Sequence, residues 1–381
     1  MTICSQGHIA YRELHKKPAL LRSISLGKLA LKNRVAMAPL TRRRATDDYV
    51  PTEIMATHYV QRASAGLIIT EATNISRQGT GYMNTPGIYT PEQIEAWKPV
   101  TEAVHAKGGK VFMQIWHVGR VSHPLLQEDE KLPVSASAIK AEGKQKTPQG
   151  HMEMVVPRAL ETDEVPGIVE DFKNAALNAI EAGFDGVEIH GANGYLIDQF
   201  LHDASNIRKD KYGGNIENRS RFLFEVVDAV CKAIGPEKTG IRLSPSGIFK
   251  DMFDSNPVEL YEYVIDKLNQ YDLAYLHILE PMVALEPAHK YEKYLKEVTP
   301  HFRKFYKGLL ITNCGFDFRS ANKIIENGHA DMVAFGKAYI SNPDLVERFE
   351  KGADLNPWDV DTFYTNGPEG YVDYPFIDEK K

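Results

Sequence analysis

Read for polarity alone, the chain is a succession of short apolar runs separated by longer stretches in which apolar side chains recur every three to four positions. The runs are RVAMAP (34–39), GLIITEA (66–72), KVFMQIW (110–116), DGVEIH (185–190), TGIRLSP (239–245), LAYLHIL (273–279), GLLITNCG (308–315) and DMVAFG (331–336). They are too short for helices and rich in β-branched residues, so they predict strands, while the stretches between them predict amphipathic helices. One such stretch, TDEVPGIVEDFKNAALNAIEAGF, predicts a helix capped by Thr162 or Asp163, with Pro166 in its first turn. Phe172, Ala176, Ala179 and Ile180 form its apolar face, and Gly183 ends it.

Eight strands alternating with helices predict an α/β fold with a closed parallel sheet, the (β/α)8 TIM barrel. Such a barrel needs ~250 residues, so a chain of 381 has room for additions. One precedes the first strand, where ISLGKLALKNRV predicts a β-hairpin closing the bottom of the barrel. Another follows strand three, where residues 118–162, rich in turn formers and polar side chains, predict an excursion over the barrel mouth. Residues 1–20 are read as an N-terminal extension. With neither a linker nor a short-period repeat, the whole of 1–381 is expected to form a single domain.

Composition narrows the partners. The net charge is −6, and the only dense basic cluster is TRRRA (41–45), which gives no footprint for a nucleic acid. No run approaches the 18 apolar residues of a membrane span, and the first residues lack the apolar centre of a signal peptide. The expected location is cytoplasmic. Cys4, Cys231 and Cys314 are scattered, which argues against a disulfide framework, an iron–sulfur cluster or any metal centre.

Barrel enzymes assemble their sites at the C-terminal ends of the strands. Here those ends carry Thr41, Ala72, Gln114 and Trp116, then His190, Asn193 and Tyr195, then Arg242. Glycine turns follow strands seven and eight at Gly315 and Gly336, with Lys337 beside the second and Asp317 placed to cap the helix after the first. Backbone N–H groups at that pair of turns suit a phosphate. Taken singly, each residue has a plainer reading: His190 as a core histidine, Asn193-Gly194 as a turn, Tyr195 as packing, the glycines as mere corners. Arg242 is harder to dismiss, because a guanidinium inside a barrel needs an anion. Gln114 needs a hydrogen-bonding partner, which a flat heterocycle would supply.

The stretch VEIHGANGYLIDQFLHDASNIRKDKYGGNIENRSRF closely resembles the signature of the Old Yellow Enzyme family, FMN-dependent ene-reductases that include the 12-oxophytodienoate reductases. NRVAMAPLTRRRA, QIWHVGR, FGKAYISNPDL and TFYTNGPEGYVDYP resemble it in the same order, so the likeness runs from about residue 20 to residue 376. It implies one non-covalent FMN. Pro39, Leu40 and Thr41 would edge its ring, Ala72, Gln114 and Arg242 would hold its pyrimidine side, and Gly315, Phe316, Gly336 and Lys337 would surround its phosphate. It implies NADPH, with NADH as an alternative, as hydride donor in a ping-pong reduction of α,β-unsaturated carbonyls, quinones or nitro compounds. His190 and Asn193 would hold the acceptor's oxygen, Tyr195 would donate the proton, and Tyr82, Trp116 and Tyr364 would line the pocket. The partner is a small molecule, and the protein is expected to be a monomer or homodimer. The family usually has arginine at Lys337, so a bidentate phosphate contact becomes a point charge and FMN affinity is expected to fall. The competing readings are a phosphate-binding aldolase or isomerase, which wants a Schiff-base lysine or carboxylate base at a strand end, and a flavin-storing scaffold.

Overall fold

Eight strands close on themselves in the computed structural model, which describes residues 17–286 and 288–378. Cys4 and most of the N-terminal extension lie outside the described residues. The strands are β1 (Val35–Met37), β2 (Leu67–Ile69), β3 (Val111–Trp116), β4 (Gly186–Gly191), β5 (Thr239–Leu243), β6 (Tyr275–Leu279), β7 (Leu310–Asn313) and β8 (Met332–Phe335). Each falls on one of the eight apolar runs, β4 extending one residue past its run to Gly191. All neighbouring pairs are parallel. The ring shuts where β8 pairs with β1, Val333 opposite Val35 and Phe335 opposite Met37. The chain is therefore the expected (β/α)8 barrel.

The longer helices between the strands include α1 (Glu53–Gln61), α2 (Pro91–Ala106), α3 (Val165–Glu181), α4 (Leu196–Leu201), α5 (Ile216–Ile234), α6 (Pro257–Leu268), α7 (Phe318–Glu326), α8 (Lys337–Ser341) and α9 (Leu345–Lys351). Helix α3 buries Phe172, Ala176 and Ala179 as its periodicity requires, and Gly183 leaves it at a φ of +92°. Its start corrects the sequence expectation. Glu164 occupies the N-cap without a side-chain cap, because Thr162 is drawn away to the Asp210 carboxylate. Asp317 does cap α7, through a reciprocal box with Ser320.

The hairpin before β1 pairs Ile24–Leu26 with Leu29–Leu31. Leu26 and Leu31 join Leu67, Ile69, Phe112, Tyr275, Ile311 and Met332 in one apolar cluster, so the hairpin plugs the barrel floor. Just before it, Ala19 and Leu20 are buried in the core; the supposed extension ends inside the fold rather than outside it. After β3 the excursion forms a hairpin, Lys144–Thr147 with Gly150–Glu153. Ala141 and Met154 pack with Ala72, Trp116 and Tyr195, so it covers the mouth.

Candidate active site

A polar layer lies directly above the apolar floor. In β4, Val187 and Ile189 belong to the apolar core, while Glu188 and His190 alternate with them and face the polar groups of neighbouring strands. Glu188 is fully buried. Its carboxylate accepts from Gln114 Nε2 at 2.7 Å and meets His277 Nδ1 at 2.8 Å. The partner of Gln114 within the chain is thus a carboxylate on the next strand, which the sequence reading missed.

Arg242 stands opposite His190 in the β4–β5 register. Its Nη2 donates to Asn313 Oδ1 at 2.8 Å, and Asn313 Nδ2 donates to the Ala334 carbonyl at 2.6 Å. Its Nε is buried with no partner among the described residues. Burial lowers the guanidinium's pKa, and the Glu188 charge opposes that fall.

His190, Asn193 and Tyr195 come together at the end of β4. The ring of His190 lies parallel to Trp116, with centroids 6.0 Å apart, and edge-on to Tyr195 at 5.1 Å. Trp116 is anchored by Nε1 donating to Asn74 Oδ1 at 2.9 Å. Asn193 adopts a φ of +59° and its N–H donates to Ser244 Oγ at 2.9 Å. Gly194 N–H donates to Asp198 Oδ2 at 2.8 Å, which ties the turn to α4. A side chain on Gly194 would strike the Phe249 carbonyl at 2.8 Å, so the loop after β5 clamps the turn from its other side. The Tyr195 hydroxyl lies 3.2 Å from that of Tyr82, whose ring stacks on Trp116 at 5.6 Å.

The electrostatics sort these groups. Burial, then the charges of Arg242 and His277, drive His190 well below the usual imidazole range, so it is neutral at physiological pH. Burial raises Tyr195 well above the usual phenol range and Tyr82 to about 12, so both keep their protons. His190 Nδ1 and Asn193 Oδ1 are buried without partners among the described residues. Buried polar atoms without partners are rare, and two of them at one strand end are candidates to meet a ligand's polar atoms.

On the far side, Cys314 and Gly315 both have a φ of +79°, and a Cβ placed on Gly315 would touch nothing within 4 Å. Gly336 opens α8 and lies against Leu40, 3.5 Å from where its own Cβ would stand. Pro39 is buried, and Thr41 and Phe316 are half-buried. Lys337 is exposed, with Nζ 5.7 Å above the ring of Trp358. Tyr364 is 55% exposed and lies close enough to couple electrostatically to Tyr82 and Tyr195. Orphaned polar atoms on one side and an open glycine turn on the other fit a flat heterocycle carrying a phosphate.

The model of the NADH:flavin oxidoreductase / NADH oxidase family matches residues 19–356. The chain belongs to this family. Like the 12-oxophytodienoate reductase 1 of Oryza sativa subsp. japonica, to which it is 49% identical over 94% of this chain and 93% of that one, its members are oxidoreductases. 12-Oxophytodienoate reductase 2 of Arabidopsis thaliana is 44% identical over 96% of this chain and 98% of its own length. Among solved structures, the old yellow enzyme homologue from Zymomonas mobilis superposes with a TM-score of 0.89 at 44% identity, covering 94% of this chain and 99% of that one. Morphinone reductase superposes with a TM-score of 0.90 at 48% identity, covering 95% and 97%. These matches place the chain among flavin-dependent enzymes that reduce activated C=C bonds.

Proposed function

We propose that this protein is an NADPH-dependent ene-reductase in which His190, Asn193 and Tyr195 carry the acceptor half of the reaction. The observation that carries the reading is the pair of orphaned polar side chains, His190 and Asn193, beside a phenol that keeps its proton. FMN, when bound, would supply hydride transfer between the nicotinamide and the β-carbon of the acceptor. Arg242, Gln114, Ala72 and the loop Pro39–Leu40–Thr41 would hold its ring, and Gly315, Phe316, Gly336 and Lys337 its phosphate.

The chain's own residues supply the rest. Reduction at the β-carbon builds negative charge on the acceptor's carbonyl oxygen, and N–H donors would stabilise it, a ring nitrogen of His190 and the amide Nδ2 of Asn193 once that amide is turned so that its nitrogen takes the place of Oδ1. A neutral His190 donates there without bringing a buried charge. The Tyr195 hydroxyl gives its proton to the α-carbon as general acid. Tyr82, bonded to it, is placed to return one. Trp116, Tyr82 and Tyr364 line the pocket. Two relatives bear on the substrate and donor: 12-oxophytodienoate names the acceptor of the plant reductases, and morphinone reductase is known in complex with tetrahydroNAD, which keeps NADH as an alternative donor.

The test is spectroscopic. The purified protein should be yellow, bleach with NADPH under anaerobic conditions and recover its colour with 2-cyclohexenone. Phenol, a mimic of the enolate oxygen, should give a long-wavelength charge-transfer band that His190→Ala with Asn193→Ala abolishes while flavin stays bound. A colourless protein that takes up no FMN overturns the flavin reading. Unchanged phenol affinity in the double variant overturns the oxygen-binding roles.

A further inference from the structure

Glu188 is a buried acid to which the proposed reaction gives no part. It lies in the middle of β4, fully buried, as are Gln114 on β3 and both His277 and Tyr275 on β6. The strand register sets Glu188 opposite Gln114 on one side and opposite Gly240 on the other. Gly240 leaves the space beside β5 to side chains from β6. A Cβ there would stand 2.5 Å from the Tyr275 ring, and His277, from the same strand as that tyrosine, brings Nδ1 within 2.8 Å of the Glu188 carboxylate. A carboxylate only accepts, so the Gln114 atom facing it at 2.7 Å is the donor Nε2.

The neighbours of Glu188 add no charge of their own. Burial lowers the pKa of His277 despite the pull of Glu188, so its ring is neutral and Nδ1–H is the donor. Burial, then the Glu188 charge, drives Tyr275 well above the usual phenol range, so it keeps its proton. The positive charge that answers Glu188 is Arg242. The two are not joined by contact: the guanidinium gives Nη2 to Asn313 at 2.8 Å, and the Glu188 charge is the foremost influence opposing the fall in its pKa on burial. A counter-charge held off by Gln114 and His277 offsets the guanidinium without occupying its N–H groups.

We propose that Glu188 is a positioning residue for the flavin, its charge offsetting that of Arg242 so that the reduction potential of the bound flavin is held down. The proposal rests on the flavin reading, in which Arg242 and Gln114, the side chains on which Glu188 acts, hold the pyrimidine side of the ring. Hydride brings two electrons and one proton to a neutral ring and leaves one negative charge on it. A fixed positive charge nearby favours the reduced form, and a fixed negative charge opposes it. Glu188 thereby keeps the reduced flavin a strong hydride donor.

The experiment measures the two-electron midpoint potential of FMN bound to the protein, by anaerobic reductive titration against a reference dye. Glu188→Gln keeps the side chain's shape. Its amide can accept from Gln114 and donate to His277 in the other tautomer, so the charge alone is lost. Reduced flavin should then be bound at least tenfold more tightly relative to oxidised flavin, a rise in potential of about 30 mV or more. Glu188→Asp, which keeps the charge, should return most of the way to the wild-type potential, and His277→Gln, which leaves Glu188 in place, should stay with the wild type. If Glu188→Gln does not fold, Glu188→Met with His277→Leu puts an apolar pair in place of the buried polar one and carries the same expected rise. An unchanged or lowered potential overturns the proposal. So does an equal rise in His277→Gln, which would mean that the group acts through its shape and not its charge. A wild-type protein that takes up no FMN overturns the flavin reading, and the proposal with it; a wild-type protein that binds FMN at a potential indifferent to Glu188 overturns the proposal alone.

Discussion

In the proposed reaction, the Tyr195 hydroxyl separates two half-reactions. Flavin reduction by NADPH delivers no proton to carbon, and a quinone takes its protons on oxygen, whereas reduction of an alkene needs a positioned acid. Tyr195→Phe keeps the ring packed edge-on to Trp116 at 4.7 Å and deletes only the hydroxyl. It should be reduced by NADPH at a near-normal rate and still pass electrons to a quinone. Cyclohexenone turnover should fall by about two orders of magnitude or more. Rapid-mixing reoxidation with each acceptor decides it: equal losses with both remove Tyr195 from the chemistry. The neighbouring His117 makes a second, independent prediction. It is buried, accepts from Gly119 N–H at 3.1 Å, and burial lowers its pKa to about 3. The unfolded chain binds a proton below about 6.5 while the folded one does not until about 3, so stability is lost as pH falls through that window, by about 1.4 kcal/mol per unit. His117→Asn can still accept from Gly119 but does not titrate, so its destabilisation relative to wild type should be about 2 kcal/mol smaller at pH 5 than at pH 7.5 in urea unfolding. The residues at the end of β4 were legible because polar side chains there interrupt an apolar run. Glu188 was not singled out, although its spacing of two from His190 puts both on one face of the strand; its partners Gln114 and His277 are 74 and 89 positions away, and no local pattern joins them.

At the scale of single elements, legibility followed how local the stabilising contacts are. The turn after β7 was readable because Asp317 and Ser320 satisfy each other within one helical turn, Ser320 N–H donating to Asp317 Oδ1 at 2.7 Å and Asp317 N–H to Ser320 Oγ at 2.9 Å. Replacing an N-cap carboxylate by alanine costs about 1 kcal/mol. Asp317→Ala should lose that amount in denaturant unfolding, and Asp317→Asn, which can still accept, should lose less; equal stability of all three would show that α7 is held by its packing alone. The start of α3 failed for the opposite reason. Thr162 is a good capping residue by type, but Asp210, 48 positions on, claims its hydroxyl, and Arg208 closes the group by bonding Asp210 and the Leu160 carbonyl. The turn after β4 is held in the same non-local way. Asp198 accepts from Gly194 N–H and from Tyr261 Oη at 2.8 Å, so α6, two helices onward, fixes the backbone that presents Asn193 and Tyr195.

For the molecule as a whole, the barrel divides its interior by height. The floor is apolar and sealed by Leu26 and Leu31, and the layer above it gathers Glu188, His277, Gln114, Arg242 and His190. Eight apolar runs in order were enough to foresee the closed sheet, since strands separated by helices pair in parallel and a sheet of eight can shut. Which polar groups meet across the barrel depends on strand register, and that was not readable from any one segment. The polar layer carries a stability consequence. Without flavin, Arg242 holds a buried positive charge that shares Glu188 with His277 and leaves Nε without a partner among the described residues. Binding that answers those atoms acts only on the folded state, so FMN should stabilise the protein by about 2.7 kcal/mol when free flavin is 100 times Kd. Arg242→Met removes the charge along with the contact. The flavin-free protein loses the guanidinium's bond to Asn313 and its attraction to Glu188, offset in part by the desolvation penalty that disappears with the charge. The flavin-bound protein loses the interaction in full. In thermal unfolding the wild type should therefore rise strongly with added FMN, whereas Arg242→Met should start near the flavin-free wild type and rise only at flavin concentrations at least 100-fold higher. Lys337→Ala, which removes an exposed charge already engaged with Trp358, should shift the FMN titration by no more than about tenfold, or about 1.4 kcal/mol. An FMN response in Arg242→Met equal to that of the wild type would mean that the guanidinium serves the barrel and not the flavin.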